Sequence, residues 1–419
     1  MNAPRAPLMP LDEALTRLLA QIQPLTRTES VATFDADGRV LTEDVVSALQ
    51  VPAFDNSSMD GYAVCAADLN QPGTVLRVTQ RIPAGHMGQP LGHGEAARIF
   101  TGAPVPPGAD AVVMQEDTET LEPAGELPQV RVQITPQPGQ WIRRSGEDVQ
   151  KGSTVLRAGT RLSPAELGLA ASLGLSHLTV TARPRVALFS TGDELVMPGD
   201  VVPEAMPPGA IYNSNRFFLK ALLHRMGCEV SDLGIVPDQR EATVAALKTA
   251  ADHHELILTS GGVSVGEEDH VKPAVQQLGQ LDLWQISMKP GKPFAYGQVR
   301  RSSQIGHAHF VGLPGNPVSS FVTFLLMVRP LLLQLQGAEP RPIRPWRLPA
   351  HFDLPKGDKR REFLRARRNG EGGLELFPNQ SSGVLTSVVW GEGVVDNPAG
   401  RSIARGDLVD FIPFSDWLA

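Results

Sequence analysis

Cysteine is nearly absent from this chain: Cys65 and Cys228 are the only two in 419 residues, far apart and in no CxxC pair. That excludes a disulfide framework and a cysteine-held zinc site. It predicts two reduced, partly buried thiols in a reducing, cytoplasmic compartment. The ten histidines are scattered and HExxH does not occur. The pairs His253-His254 and His307-Ala-His309 read as surface positions, so a histidine-held transition metal is disfavoured. A basic surplus is missing too. The formal net charge is -7, which argues against a general nucleic-acid binder. No uninterrupted apolar stretch of about 18 residues occurs, so no membrane span is expected. The N-terminal MNAPRAPLMP lacks the apolar core of a signal peptide. The longest apolar run, 321–335, is interrupted by Arg329, Pro330 and Gln334 and reads as a buried helix.

What is present is ample apolar material, 42% of the chain, enough for about two to four domains at roughly 100–200 residues each. Residues 10–25 place Leu11, Ala14, Leu15, Leu18, Leu19 and Ile22 on one helical face, with Pro24 as the stop. Residues 51–139 carry short alternating strands such as TVLRVTQRI and QVRVQI between Gly and Pro, which predicts a β-rich inserted domain. Residues 1–50 together with 140–182 are expected to form an elongated N-terminal linker domain. Within it Ser163, Pro164, Glu166 and Gly174 bracket a helix. From Arg183 to 336, strands alternate with helices: RVALFS, NRFFLKALLHRMG, CEVSDLGIV, QREATVAALKTAADHH, ELILTS, KPAVQQLG, LWQISM and HFVGL. This predicts a central α/β domain, a parallel sheet with helices on both faces. A Pro-rich boundary, QGAEPRPIRPW, precedes a small C-terminal β domain over 337–419.

Ligands of open parallel sheets bind outside the carboxyl ends of the strands, and three such ends carry chemistry. The first has Ser190, Thr191, Gly192, Asp193 and Glu194. The second is SGGVSVGEED, with Ser260, Gly261, Gly262, Ser264, Gly266, Glu267 and Asp269. The third has Pro314, Gly315, Asn316 and Ser319. Glycines permit close backbone approach, and the helix starts that follow present N–H groups to an anion. Each such end contributes ~0.3–1 kcal/mol. Carboxylates beside a phosphate need a cation between them, and Asp or Glu with phosphate oxygens is the usual Mg²⁺ ligand set. Asp193, Glu194, Asp238 and Asp269 are therefore metal or metal-water candidates. An ordinary βα turn explains any one of these loops; three at successive strand ends favour an anion site.

Three further segments stay open on composition. MKPGKPFAYG puts Lys289 and Lys292 on a Pro-Gly turn, either a two-pronged cation site or two solvated lysines. FDNSSMDGYAV, which contains Asp60, and RRSGED are equally readable as structural turns or as functional loops. REFLRARR, which contains Arg365, reads first as a solvated edge strand.

Taken together, DNSSMDGYAV, TGAPVPPGADAVVMQE, RRSGEDV, FSTGDEL, IYNSN, TSGGVSVGEEDHVK, KPGKPFAYG and LPGNPVSS resemble the molybdopterin molybdenumtransferases, the MoeA and gephyrin E-domain family. The resemblance spans 55–320 and the flanking segments are compatible with it. It implies an α/β and β multidomain fold, an elongated homodimer and a C-terminal β-barrel-like domain. The implied reaction is insertion of molybdate into adenylylated molybdopterin with Mg²⁺-assisted release of AMP. Asp60 and Thr101 are then expected to face the partner subunit's α/β cleft. Asp60, Thr101, Asp238 and Asp269 would be catalytic, Asp193, Glu194 and Asp269 metal-associated, and the strand-end residues phosphate-binding. Lys289, Lys292, Ser319, Arg365 and Ser382 would hold molybdate. The tail departs most: Arg365-Ala366 stands where the family often has Arg-Gly, and QSSGVLTS fits only loosely. Transient complexes with a molybdopterin adenylyltransferase and with cofactor-delivery proteins also follow from the resemblance, and neither nucleic acid nor membrane is an expected partner. The competing readings are an adenylyltransferase-type activity, since the SGGVS-type loop also occurs in those enzymes, and a scaffold.

Overall fold

A computed structural model of the chain describes residues 8–121, 127–262, 270–303 and 305–418. Helix α1, Leu11–Leu19, buries Leu11, Ala14 and Leu18 as its periodicity requires. It stops earlier than Pro24 predicts: the amides of Gln21 and Ile22 close 3₁₀-type bonds to Leu18 and Leu19, which tighten the last turn. Its buried side chains join the core under the central sheet. By packing, α1 therefore sits with the α/β core and not with the linker segments next to it in sequence. Those segments pair at long range, Thr28–Ala32 against His177–Thr181 and Val45–Val46 against Thr154–Leu156. Helix α2, Pro164–Ser172, starts in the capping box that the sequence indicates, with Ser163 and Glu166 satisfying each other's orphan amides.

The β-rich segment forms one six-stranded sheet. Its order is Ala111–Met114, Gly61–Val64, Glu95–Ile99, Thr74–Ile82, Gln129–Val132, Thr118–Leu121. Gly61 is required there. A Cβ at that position would lie 1.9 Å from the Val113 carbonyl oxygen.

The central sheet holds β1 (Arg185–Thr191), β2 (Glu229–Val236), β3 (Leu256–Ser260), β4 (Gly279–Gln285), β5 (Pro293–Arg300) and β6 (His307–Leu313). Their order is β2-β1-β3-β6-β5-β4. Strands β2, β1, β3 and β6 are parallel. Strand β5 is reversed, antiparallel to both β6 and β4, which the expectation of a parallel sheet misses. The cause is connection length: β5 returns to β6 through the turn at 301–306, too short for a crossover helix. Side chains alternate cleanly. Val186, Leu188, Leu256, Leu258, Val311 and Leu313 face a core shared with α1, α3 (Ser214–Arg225) and the long helix α6 (Pro317–Leu335). Ala187, Phe189, Ile257 and Phe310 face the opposite core beneath α4 (Arg240–His253) and α5 (Val271–Leu278). Each fully buried large apolar side chain contributes roughly 1.5–3 kcal/mol.

Helix α6 is long and apolar enough to cross a membrane by length and composition, with mean hydropathy 1.7, but 72% of it is buried inside the fold. It widens into π geometry over Phe324–Val328. Pro330 explains this, since its ring and missing N–H disturb the regular ladder one turn earlier. His254 and His309 are buried, contrary to the surface reading. The Nδ1 of His309 lies 2.9 Å from the Tyr296 hydroxyl, and burial pushes this imidazole down to about 4. Both thiols are free, and burial pushes Cys228 up to about 12.

The C-terminal sheet runs Met288–Lys289, β7 (Arg361–Arg368), Gly393–Asn397, Leu408–Pro413, Trp346–Pro349, with Leu374–Leu376 added to β7. Strand β7 is not a solvated edge. It is paired on both sides and buried over most of its length. Burial of so basic a strand is possible because its cations have local partners: Arg361 with Asp396, Arg367 with Glu375, Arg368 with Glu392.

Candidate active site

The chain passes from β1 to β2 on one side and returns to β3 on the other. The crevice outside the carboxyl ends of β1 and β3 is thus the switch point where open α/β sheets bind ligands. Ser190 and Ser260 meet across it, with hydroxyl oxygens 3.5 Å apart. Gly261 and Gly262 take positive φ, +89° and +67°. A Cβ on Gly261 would sit 2.9 Å from the Thr191 carbonyl oxygen, and one on Gly262 would sit 2.9 Å from the Thr191 hydroxyl. Only glycine lets the two loops approach this closely. The third loop closes the wall. A Cβ on Gly315 would lie 4.0 Å from Gly261 Cα, and Asn215 Nδ2 donates a 2.7 Å bond to the Gly315 carbonyl. Asn316 caps α6 through backbone geometry, and its side chain makes no cap bond. Pro314 is buried and Gly315 and Asn316 are exposed at the rim. Ser264, Gly266, Glu267 and Asp269 lie outside the described residues.

From this wall, α6 leads toward a group of cationic side chains. The Val318 amide donates to the Ser382 carbonyl at 2.9 Å. Arg365 Nη2 donates to the neighbouring Ser381 carbonyl at 3.4 Å. On the other flank, the KPGKP turn rests on α6: a Cβ at Gly291 would lie 2.4 Å from Thr323 Oγ1 and 3.5 Å from the Ser319 carbonyl oxygen. The same turn enters the C-terminal sheet, where Met288 and Lys289 register with Arg361 and Glu362. Ser319 and Ser382, distant in sequence, therefore come together beside α6, while Lys289 pairs with Glu362 on one face of β7 and Arg365, three residues further along the unbroken strand, lies on the other. Lys292 is half-buried on the turn, and its ammonium has no ion pair among the described residues.

The arginine and the lysine of this group are held differently. Arg365 is 1% exposed and bonded only to neutral groups, Ser387 Oγ at 3.1 Å, the Phe363 carbonyl at 3.1 Å and the Ser381 carbonyl. Burial pushes its guanidinium down to about 10, so it remains charged at neutral pH. Lys289 Nζ lies 3.2 Å from Glu362 and 3.3 Å from Asp358. The Arg360 guanidinium and its backbone amide hold Asp358 well below the usual carboxylate range, with help from Lys289. Sequence reasoning missed Asp358 and Glu362. The available signal was two acids inside the basic run KGDKRREFLRARR.

The acids divide into two groups. Asp193 and Glu194 are exposed on the loop after β1, with no ion-pair partner among the described residues. A Cβ on Gly192 would meet the Glu194 carboxylate at 2.5 Å, so that carboxylate folds back over the glycine. Asp238 is half-buried after β2. Asp60 and Thr101 lie on the β-rich sheet and bond to each other: Asp60 Oδ1 accepts from the Thr101 amide and hydroxyl, both at 2.8 Å. Those two bonds hold the Asp60 carboxyl below its ordinary value.

A glycine-walled switch point at the carboxyl ends of a mostly parallel sheet is where α/β ligand-binding proteins take their ligands. Residues 9–174 match the MoeA N-terminal region (domain I and II), 187–334 a probable molybdopterin binding domain, and 347–414 the MoeA C-terminal region (domain IV). The molybdopterin molybdenumtransferase of Haemophilus influenzae is 38% identical over 98% of this chain and 100% of its own length. Molybdopterin molybdenumtransferase 2 of Mycobacterium tuberculosis is 38% identical over 91% of this chain and 94% of its own. The crystal structure of the molybdopterin biosynthesis MoeA protein from Pyrococcus horikoshii superposes with a TM-score of 0.81 at 29% identity, covering 97% of this chain and 99% of the other. The chain belongs to the molybdopterin molybdenumtransferase family.

Proposed function

We propose that this chain inserts molybdate into adenylylated molybdopterin and releases AMP. The observation that carries the reading is the run of contacts from Thr191 through Gly261 and Gly315 along α6 to the Ser381–Ser382 loop, with Arg365 and the KPGKP turn on its flanks. One end seats phosphate on glycine backbone; the other neutralises an oxyanion with Lys289, Lys292 and Arg365. An adenylyltransferase-type activity is less well supported, because this chain matches the N- and C-terminal modules as well and its relatives are named for molybdenum transfer. A scaffold role has no observation in its favour.

Among the described residues no group of three or more acids or histidines converges on one metal position. Mg²⁺ needs fewer: it is commonly held by one or two carboxylates together with substrate phosphates. Asp193 and Glu194, adjacent and without ion-pair partners among the described residues, fit that donor set, with Asp238 and Asp269 as further candidates. Mg²⁺ bound there would supply Lewis-acid polarisation of the phosphoanhydride. The chain's own residues do the rest. Gly261, Gly262 and the Ser190–Ser260 pair seat the phosphates as water splits the anhydride, leaving AMP and the pterin phosphate. The lysines and Arg365 hold molybdate beside the dithiolene sulfurs, converting a bimolecular encounter into a local one. Asp60, kept ionised by Thr101, is assigned to the partner subunit's cleft in a homodimer, where it would orient the attacking water.

The test is turnover of adenylylated molybdopterin with purified protein. AMP and molybdenum cofactor should form in equal amounts, dependent on both molybdate and Mg²⁺. Consumption of ATP with no AMP released from the adenylylated substrate would overturn the assignment.

A further inference from the structure

The opposite end of the central sheet holds a second anion site. A cavity of about 1140 Å³ lies between the linker segments, the amino ends of β1 and β2, and the C-terminal sheet. Arg161, Arg183, Arg225, Arg329, Arg341 and Arg344 line it. Three carboxylates, Asp37, Glu339 and Asp416, line it as well, which leaves a surplus of three positive charges. Arg183 precedes β1 directly, so the cavity is about 20 Å from the switch-point crevice at ~3.3 Å per residue of strand.

Two of these arginines, Arg183 and Arg329, are oriented by neutral carbonyls that do not cancel their charge. Arg183 Nη1 donates to the Gly227 carbonyl at 3.1 Å, and Arg329 Nε to the Trp417 carbonyl at 2.6 Å. Asp37 lies near Arg161 and offsets part of its charge. Burial pushes the guanidinium of Arg329 downward, and the positive Arg161 adds to the effect. Arg225, Arg341 and Arg344 are exposed and have no ion pair among the described residues. Like charges gathered in a cavity are costly unless an anion joins them. The start of α2 is not the attraction, because Glu166 already caps it.

We infer that this cavity binds a di- or triphosphate group through the arginine cluster, at a site separate from the active-site crevice. Fork-shaped guanidiniums suit phosphate oxygens bidentately. Trp346, 46% exposed at the rim, offers a face for a base, so a nucleotide and an inorganic polyphosphate share the chemistry and Trp346 separates them. A ligand here would bridge three parts of the chain and thereby stiffen the frame that carries the crevice.

The test is calorimetric titration of the full chain, without Mg²⁺, using inorganic pyrophosphate and ATP as probes. The paired substitution Arg341→Gln with Arg344→Gln lies on an exposed segment and should leave the fold and AMP release intact. It should weaken both probes by at least about tenfold, while Lys292→Gln leaves them unchanged. Trp346→Ala should weaken ATP alone if the natural ligand is a nucleotide; equal binding of both probes by that variant assigns an inorganic polyphosphate. Unaltered binding in the arginine pair, or loss in Lys292→Gln instead, overturns the site. So does a change of oligomeric state in the arginine pair with no anion bound by the wild type, which makes the cavity a contact between chains.

Discussion

Two basic stretches pair side by side in the C-terminal sheet, the KPGKP turn and strand β7, and they hold charge in opposite ways. The turn presents lysines: Lys289 is restrained by two carboxylates and Lys292 has no ion pair among the described residues. The strand buries Arg365 among carbonyls and a hydroxyl. A lysine on a turn is a compact charge that can follow a ligand. A buried arginine on a paired strand is pre-organised and cannot move away. The contrast suggests a division of labour, in which the strand fixes the position of the oxyanion and the turn adapts to its arrival and release.

Removing the fixed charge should have the largest effect. Arg365→Met is expected to lower molybdate-dependent turnover by about a hundredfold, comparable to loss of a pre-organised oxyanion donor. Its stability should change by no more than about 2 kcal/mol, because the lost hydrogen bonds are offset by relief of a buried charge. Chemical unfolding beside steady-state kinetics checks both. A collapse in stability with a proportionate loss of activity would make Arg365 a structural residue and remove the contrast.

A smaller effect is expected from releasing the restrained lysine. Glu362 is 3% exposed and holds Lys289 from the paired strand. Glu362→Gln keeps the shape and removes one of the two carboxylates on the ammonium, leaving Asp358 as the other and loosening its hold on Lys289. The KM for molybdate should fall by about threefold, while maximal turnover holds or drops slightly as release slows. An unchanged KM would mean that the Glu362 contact braces the sheet and has no part in molybdate binding.

The sequence was most readable where local physics decides. Alternating strands and helices from Arg183 onward, and the glycines at their carboxyl ends, follow from periodicity and from backbone approach, and the structure has the β1, β3 and β6 loops in contact. Ser163 and Glu166 signalled a cap that forms as read. It was least readable where distant segments choose each other. Nothing in REFLRARR shows that Met288–Lys289 will pair beside it, or that Asp396, Glu375 and Glu392 will each take one of its arginines. The reversal of β5 was missed because a six-residue connection, unlike a missing helix, leaves little trace in hydrophobic pattern. His254 and His309 were misplaced for a related reason: a polar ring enters a core when one partner, the Ala250 carbonyl or the Tyr296 hydroxyl, awaits it, and that partner is invisible in the local sequence.

The division between a phosphate end and an oxyanion end is tested most directly by AMP release from adenylylated molybdopterin by Lys292→Gln across a molybdate titration. The account predicts that half-maximal molybdate rises about tenfold while release at saturating molybdate approaches the wild-type rate, since the glycine-walled end is untouched. Loss of AMP release at every molybdate concentration, in a folded variant, would contradict it.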